Sequence, residues 1–167
     1  MKMSFRVKFN LLVCMQLLVL FSLIGYKQWT LATGERVLLK TVPVDPRDLF
    51  RGEYVALRYE ISSVESWWAH GKSFQAGDTL YVTLRREGRF WGIGAVADQP
   101  PPAGALFLKG TVRRVRDSGI DVDYGIESYF VPEGRGKELE SKRAGLTTEI
   151  AIDRFGHAVI RNVRSDR

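Results

Sequence analysis

The chain has 167 residues, a formal net charge of +6, one cysteine and two histidines. Hydrophobic residues make up 45% of it and aromatics 11%, enough for a packed core, so a disordered composition is excluded. Half of the excess positive charge (Lys2, Arg6 and Lys8) precedes an apolar run, and the remainder is close to balance. That balance excludes the dense basic stripe of a nucleic-acid binder.

The apolar run comes first. Phe9–Tyr26 carries no charge and would rise about 27 Å as a helix, close to the hydrocarbon thickness of a bilayer. Lys2, Arg6 and Lys8 ahead of it predict a cytoplasmic start and an outer, periplasmic or otherwise extracytoplasmic remainder. The division expected is a basic N-terminus at 1–8, a transmembrane signal anchor at 9–26, a juxtamembrane linker at 27–34, a β domain at 35–164 and a tail at 165–167. A competing reading is a cleaved leader with Thr30-Leu31-Ala32 as a small-x-small site, but the run is longer than the usual leader core. Cys14 lies inside this run, so no disulfide forms within the chain. With only His70 and His157 besides, no Cys/His zinc set is available, and no metal or cofactor is expected.

Beyond the run, strand signals alternate with turn chemistry. Arg36–Val42 is the first, and Glu53–Ile61 follows with Val55, Leu57, Tyr59 and Ile61 on one face. Thr79–Arg86 and Phe90–Val96 flank Glu87-Gly88, and Ala105–Arg116 and Ile120–Asp123 flank Asp117-Ser118-Gly119, which predicts two hairpins. Ser128–Val131 reads as a short edge strand ended by Pro132. Thr147–Ile152 and Ala158–Val163 flank a four-residue loop, Asp153–Gly156. Two short helices are expected, one from the Ser62-Ser63-Val64-Glu65 capping spacing through Trp67 and Trp68, the other over Lys137–Ala144. The fold class predicted is all-β, a mainly antiparallel barrel or sandwich with two short helices, on an N-terminal transmembrane helix.

Candidate chemistry is sparse. A serine nucleophile would have to be Ser62 or Ser63 with Lys40 or Lys72 as base, and no signature links them. Glu127, Glu133 and Glu140 fall in "YGIESYFVPEGRGKELE", where paired carboxylates could serve glycoside hydrolysis or where they could be a solvated face. Trp67, Trp68, Trp91 and Phe74 could form a stacking platform, although adjacent tryptophans usually place one ring in the core and one at the rim. The charges in "VDPRDLFRGEY", namely Asp45, Arg47, Asp48, Arg51 and Glu53, alternate in sign, so they form no one-sided ion pocket.

"GEYVALRY", Gly52 to Tyr59, resembles the signature of the GDYxxLxY (GDYXXLXY) family of bacterial membrane-anchored proteins. Gly52, Tyr54, Leu57 and Tyr59 match it, and Glu53 stands for the aspartate. "PVDPRDLFR" is similar to the family's lead-in, "YGIESYFVPEGRGKELE" to its second block and "TEIAIDRFGHAVIRNV" to its last hairpin. The resemblance covers about residues 35–163 and implies no catalytic residues. It implies a non-enzymatic outer domain that binds or assists another envelope component, a multi-spanning integral membrane protein. The residues expected to meet that partner are Arg47, Asp48, Arg51, Glu53 and Tyr54 from the first block and Glu127, Glu133 and Arg135 from the second. The alternative is an envelope hydrolase or a glycan- or peptide-binding module using Glu127, Glu133 and exposed tryptophans.

Overall fold

The computed structural model describes residues 4–42, 54–69, 72–130 and 146–165. Helix α1 runs over Phe5–Thr33, about 44 Å. Its apolar side chains from Phe9 to Ile24 are exposed to the surroundings rather than packed against the domain, and Arg6–Thr33 is long and apolar enough to cross a membrane. Residues 27–33, assigned above to a linker, continue the helix. The reason is tertiary: the last two turns dock on the domain, where Thr30 is buried and the Leu31 carbonyl accepts from Arg161 at 2.6 Å.

The described domain consists of antiparallel strands. They are β1 (Glu35–Val42), β2 (Tyr54–Ala56), β3 (Arg58–Tyr59), β4 (Ser63–Glu65), β5 (Thr79–Glu87), β6 (Phe90–Ala97), β7 (Phe107–Arg116), β8 (Gly119–Asp123), β9 (Ser128–Phe130), β10 (Leu146–Ile152) and β11 (Ala158–Ser165). One sheet has the order β11-β10-β1-β3, another β4-β8-β7-β5-β6, and β2 pairs with β9 alone. The sheets curl as a half-barrel around a single core that draws Val37 and Leu39 from β1, Leu80 and Val82 from β5, Leu108 and Val112 from β7, and Ile150 and Ile152 from β10. Period-2 alternation of these buried residues is what gives each strand one inward face.

Two details depart from the expected elements. The stretch Ser63–Glu65 is strand β4, with Val64 opposite Ile120, and the flanking Glu60–Ser62 and Ser66–Ala69 are single 3-10 turns. Strand pairing there overrides the local capping signal. The β10–β11 loop has five residues rather than four, because Ile152 pairs with Ala158. Asp153 closes it by accepting from the backbone N–H groups of Phe155 and His157 at 2.8 and 2.9 Å. The helix expected over Lys137–Ala144 lies outside the described residues.

The helix passes into β1 through Gly34 alone. A Cβ at this position would sit 2.5 Å from the Thr30 carbonyl oxygen and 2.9 Å from that of Ile152, both backbone atoms, so only glycine fits the approach. Lower on the helix, Tyr26 donates to Asp153 and its hydroxyl lies 3.0 Å from Nδ1 of His157. The docking contacts are Tyr26 at the hairpin tip, Leu31 against β11 and Gly34 against the end of β10. From Gly34 onward β1 runs about 26 Å to Val42.

Candidate functional site

The signature stretch does not form one straight strand. It breaks at Leu57: β2 pairs with β9 through Tyr54 opposite Phe130, Val55 opposite Tyr129 and Ala56 opposite Ser128, whereas β3 pairs with β1 through Arg58 opposite Val42 and Tyr59 opposite Thr41. At the break the Leu57 N–H donates to the Glu127 carbonyl at 2.7 Å. The first and second sequence blocks are thus joined along their length, and Leu57, Tyr59 and Ile61 point into the core as the alternation predicts.

Two tyrosines clasp the joint reciprocally. Tyr59, fully buried, donates its hydroxyl to the Ile126 carbonyl at 2.7 Å. Tyr124 donates to the Ile61 carbonyl, also at 2.7 Å. Each short segment therefore supplies one phenol and one carbonyl to the other, and no polar atom of the four is left without a partner. Gly110 on β7 makes room for one of them, since a Cβ there would come within 2.4 Å of Val122 Cγ1 and 3.0 Å of Tyr124 Cε1. Burial pushes both phenols well above their ordinary range, and the Glu127 charge nearby pushes the same way.

Of the eight residues expected to form a partner surface, Arg47, Asp48, Arg51, Glu53, Glu133 and Arg135 lie outside the described residues. Tyr54 is placed by its backbone in β2. Glu127 is half-buried and uses Oε1 to accept the Tyr124 N–H at 2.5 Å, so its carboxylate closes the turn that presents the Tyr124 phenol. The described residues that flank the two segments are neighbours. Segment 43–53 joins Val42 to Tyr54, and segment 131–145 joins Phe130 to Leu146. Tyr54 and Phe130 are paired, and the Thr41 hydroxyl donates to the Leu146 carbonyl at 2.7 Å. Both segments therefore start and finish at neighbouring points, at the end of β1 remote from the helix.

The serines and tryptophans are accounted for by local bonding. Ser62 Oγ accepts from the Tyr59 N–H at 3.2 Å and Ser63 Oγ accepts from Arg58 at 2.7 Å. Lys40 faces Glu60, at 3.8 Å, and the Phe90 ring, while Lys72 is paired with Asp98. Trp67 stacks on Trp68 with centroids 4.2 Å apart; Trp68 rests on the core and Trp67 is exposed with its indole N–H on Glu65.

One charge cluster has no counterpart among the sequence motifs. Asp121 on β8 is 4% exposed, and its Oδ1 accepts from Arg58 at 2.8 Å. Its Oδ2 faces the Arg116 guanidinium at 2.6 Å as an ion pair without a well-angled hydrogen bond, and Arg113 stands farther off, 3.6 Å from Asp123. Arg58 thereby ties the signature strand to the five-stranded sheet. The alternation of "GIDVD" is compatible with an outward Asp121, and no local pattern marks it as covered.

An all-β domain on a long apolar helix, whose two sequence blocks are pinned together by backbone pairing and reciprocal tyrosines, is the class these features define. Within that class, the family model described as "GDYXXLXY protein" matches residues 16–163, and the chain belongs to the GDYXXLXY family. The match begins inside the apolar helix, well ahead of the β domain. Comparison with curated proteins and with solved structures gave no match.

Proposed function

We propose that this chain is a single-pass, non-enzymatic protein of the cell envelope whose β domain lies outside the inner membrane and binds or assists a multi-spanning membrane protein. The helix acts as an uncleaved signal anchor in this reading, with the N-terminus cytoplasmic by the placement of Lys2, Arg6 and Lys8. The observation that carries it is the shared origin of segments 43–53 and 131–145 at one end of the domain. Those segments hold Arg47, Asp48, Arg51, Glu53, Glu133 and Arg135, a set of mixed sign suited to a polar protein surface rather than to a single small ion. Tyr54 enters from the same end.

The height of that end constrains the partner. It is separated from the helix junction by β1, about 26 Å long, and in this reading the contact is with a portion of the partner that projects from the bilayer. The test is site-specific photo-crosslinking of the full chain in intact cells, with the crosslinker at position 47 or 135 and a control at exposed Val115. A membrane protein captured from 47 and 135 but not from 115, and lost with Arg47→Glu plus Arg51→Glu, is the expected outcome. Equal capture from all three positions, or none from 47 and 135, refutes the reading.

A further inference from the structure

The β10–β11 hairpin tip meets the helix next to the Gly34 junction, since the Ile152 carbonyl closes on Gly34 and Asp153 follows it in the chain. Tyr26, which donates to Asp153 and contacts His157, lies eight residues before Gly34, about 12 Å along the helix. Tyr26 is also the last residue of the uncharged run that begins at Phe9. The Tyr26 side chain therefore ties the hairpin tip to the last residue of the apolar run. On that tip Phe155 is 52% exposed, with the Arg154 guanidinium 4.7 Å over its ring. Trp29, 69% exposed, and Lys27 lie on the helix one turn or less above Tyr26, and Lys109 is exposed on β7 where its N–H donates to the Gly156 carbonyl at 2.8 Å. The acid of the tip, Asp153, is turned inward and engaged by Tyr26 and two backbone N–H groups. Facing outward around the tip are the two aromatic rings and the cations Arg154, Lys27 and Lys109, together with His157 and, at the start of β1, Arg36 and the one acid Glu35.

We infer that this tip is a second membrane contact, in which Phe155 enters the headgroup region of the outer leaflet while Arg154, Lys27 and Lys109 meet anionic lipid phosphates. This rests on the reading that α1 spans the membrane. Aromatic rings carried with adjacent cations are the composition that binds an anionic interface, each cation adding to the attraction within a Debye length of the surface. The geometry gives the contact a purpose as well. A single helix alone leaves its domain free to tilt, whereas a helix and a hairpin tip set against the same surface fix the domain's pose and hence the height of segments 43–53 and 131–145.

The experiment uses the full chain with Cys14→Ser, reconstituted in vesicles of phosphatidylcholine with or without phosphatidylglycerol. Phe155→Cys carries an environment-sensitive fluorophore, and Val115→Cys, at the far end of β7, serves as control. Lipids labelled with a quencher near the headgroup are expected to quench at 155 and not at 115, more strongly with phosphatidylglycerol. Arg154→Glu in the labelled chain is expected to abolish most of that gain. Iodide quenching from water as strong at 155 as at 115 overturns the inference, and protection of 155 from both quenchers assigns the tip to a protein instead. Quenching indifferent to phosphatidylglycerol and to Arg154→Glu overturns the anionic-lipid assignment. Resistance to alkaline carbonate extraction is read on the same vesicles. A chain that resists extraction but leaves 155 in water refutes the tip contact alone, and a chain that is extracted refutes the span as well.

Discussion

Replacing Tyr59 by phenylalanine isolates one half of the clasp. The change leaves the ring in its buried site and removes only the hydroxyl that donates to the Ile126 carbonyl at 2.7 Å. No cavity of consequence forms, so the cost is polar. A lost hydrogen bond of this kind is worth about 0.5–1.5 kcal/mol net, and stranding a carbonyl of a residue that is 2% exposed adds to it, for a total of about 1–2.5 kcal/mol. Tyr124→Phe, which strands the Ile61 carbonyl, should cost a similar amount. In a domain of this size each kcal/mol lowers Tm by roughly 3–5 °C. The two bonds join the same pair of short segments, so releasing one loosens the geometry of the other. The double variant should therefore lose less than the two single losses together, by about 0.5–1.5 kcal/mol. Equilibrium unfolding of the detergent-solubilised full chain, followed by tryptophan fluorescence, measures all three. Tyr81→Phe, on a half-buried ring that packs against Phe107, is the control and should stay within about 0.5 kcal/mol. Single losses no larger than the control, or strict additivity, would refute the reciprocal clasp.

The raised phenols make the same clasp sensitive to alkali. Folded Tyr59 and Tyr124 stay protonated where the unfolded chain ionises, so their contribution is intact below about pH 10 and falls above it by about 1.4 kcal/mol per pH unit for each phenol. A phenolate absorbance titration should show two tyrosines ionising only as the domain unfolds. Arg58→Ala should cost about 1–2 kcal/mol, because it removes the hydrogen-bonded partner of buried Asp121 from a site partly open to solvent, whereas Arg113→Ala, with its longer contacts, should stay within about 0.5 kcal/mol; thermal denaturation of the two variants compares them. Gly34→Ala forces a methyl group against two backbone carbonyls and should cost about 1–3 kcal/mol, read as a lower Tm and as faster protease cleavage near residue 34.

Elements whose partner is the next strand in the chain are legible in the sequence alone. The β5–β6, β7–β8 and β10–β11 hairpins announce themselves through alternation and turn residues, and their ends fall within a residue or two of the expected positions. Features decided by distant partners are not legible in this way. Alternation runs unbroken through Leu57 and cannot tell that its two halves pair with β9 and β1, with partners 72–76 residues later and 16–18 residues earlier in the chain. Lys27, Gln28 and Thr33 read as the polar start of a linker, yet hydrogen bonds from Arg161 and to Asp153 hold that stretch helical against the domain. Asp121 has the pattern of an outward strand residue, and nothing near it in sequence reveals Arg58, 63 residues earlier, which is its hydrogen-bonded partner. For the proposed surface, the sequence supplies the residue types, and the pairing of Tyr54 with Phe130 places the flanks of the two blocks side by side.

That pairing also changes how the family signature is to be understood. An active-site motif would aim its polar side chains at a common point, and the second half of this one does the opposite. Leu57 fills the core, and Tyr59 spends its hydroxyl on a backbone carbonyl that would otherwise be buried without a partner. Arg58, the polar residue between them, is committed to Asp121 and Ser63. Even Glu127, the described acid of the second block, is engaged with the Tyr124 N–H. These residues hold a corner at which one strand leaves β1 for β9, and the corner fixes where segments 43–53 and 131–145 begin. A substitution at Leu57 or Tyr59 should therefore act on partner capture only through stability, in proportion to the folded fraction. A substitution at Arg47 or Arg135 should reduce capture with the unfolding transition unmoved. Comparing crosslinking yield with Tm across the four positions separates the two classes; a Tyr59→Phe chain that stays folded but captures nothing would show that the corner itself is the contact.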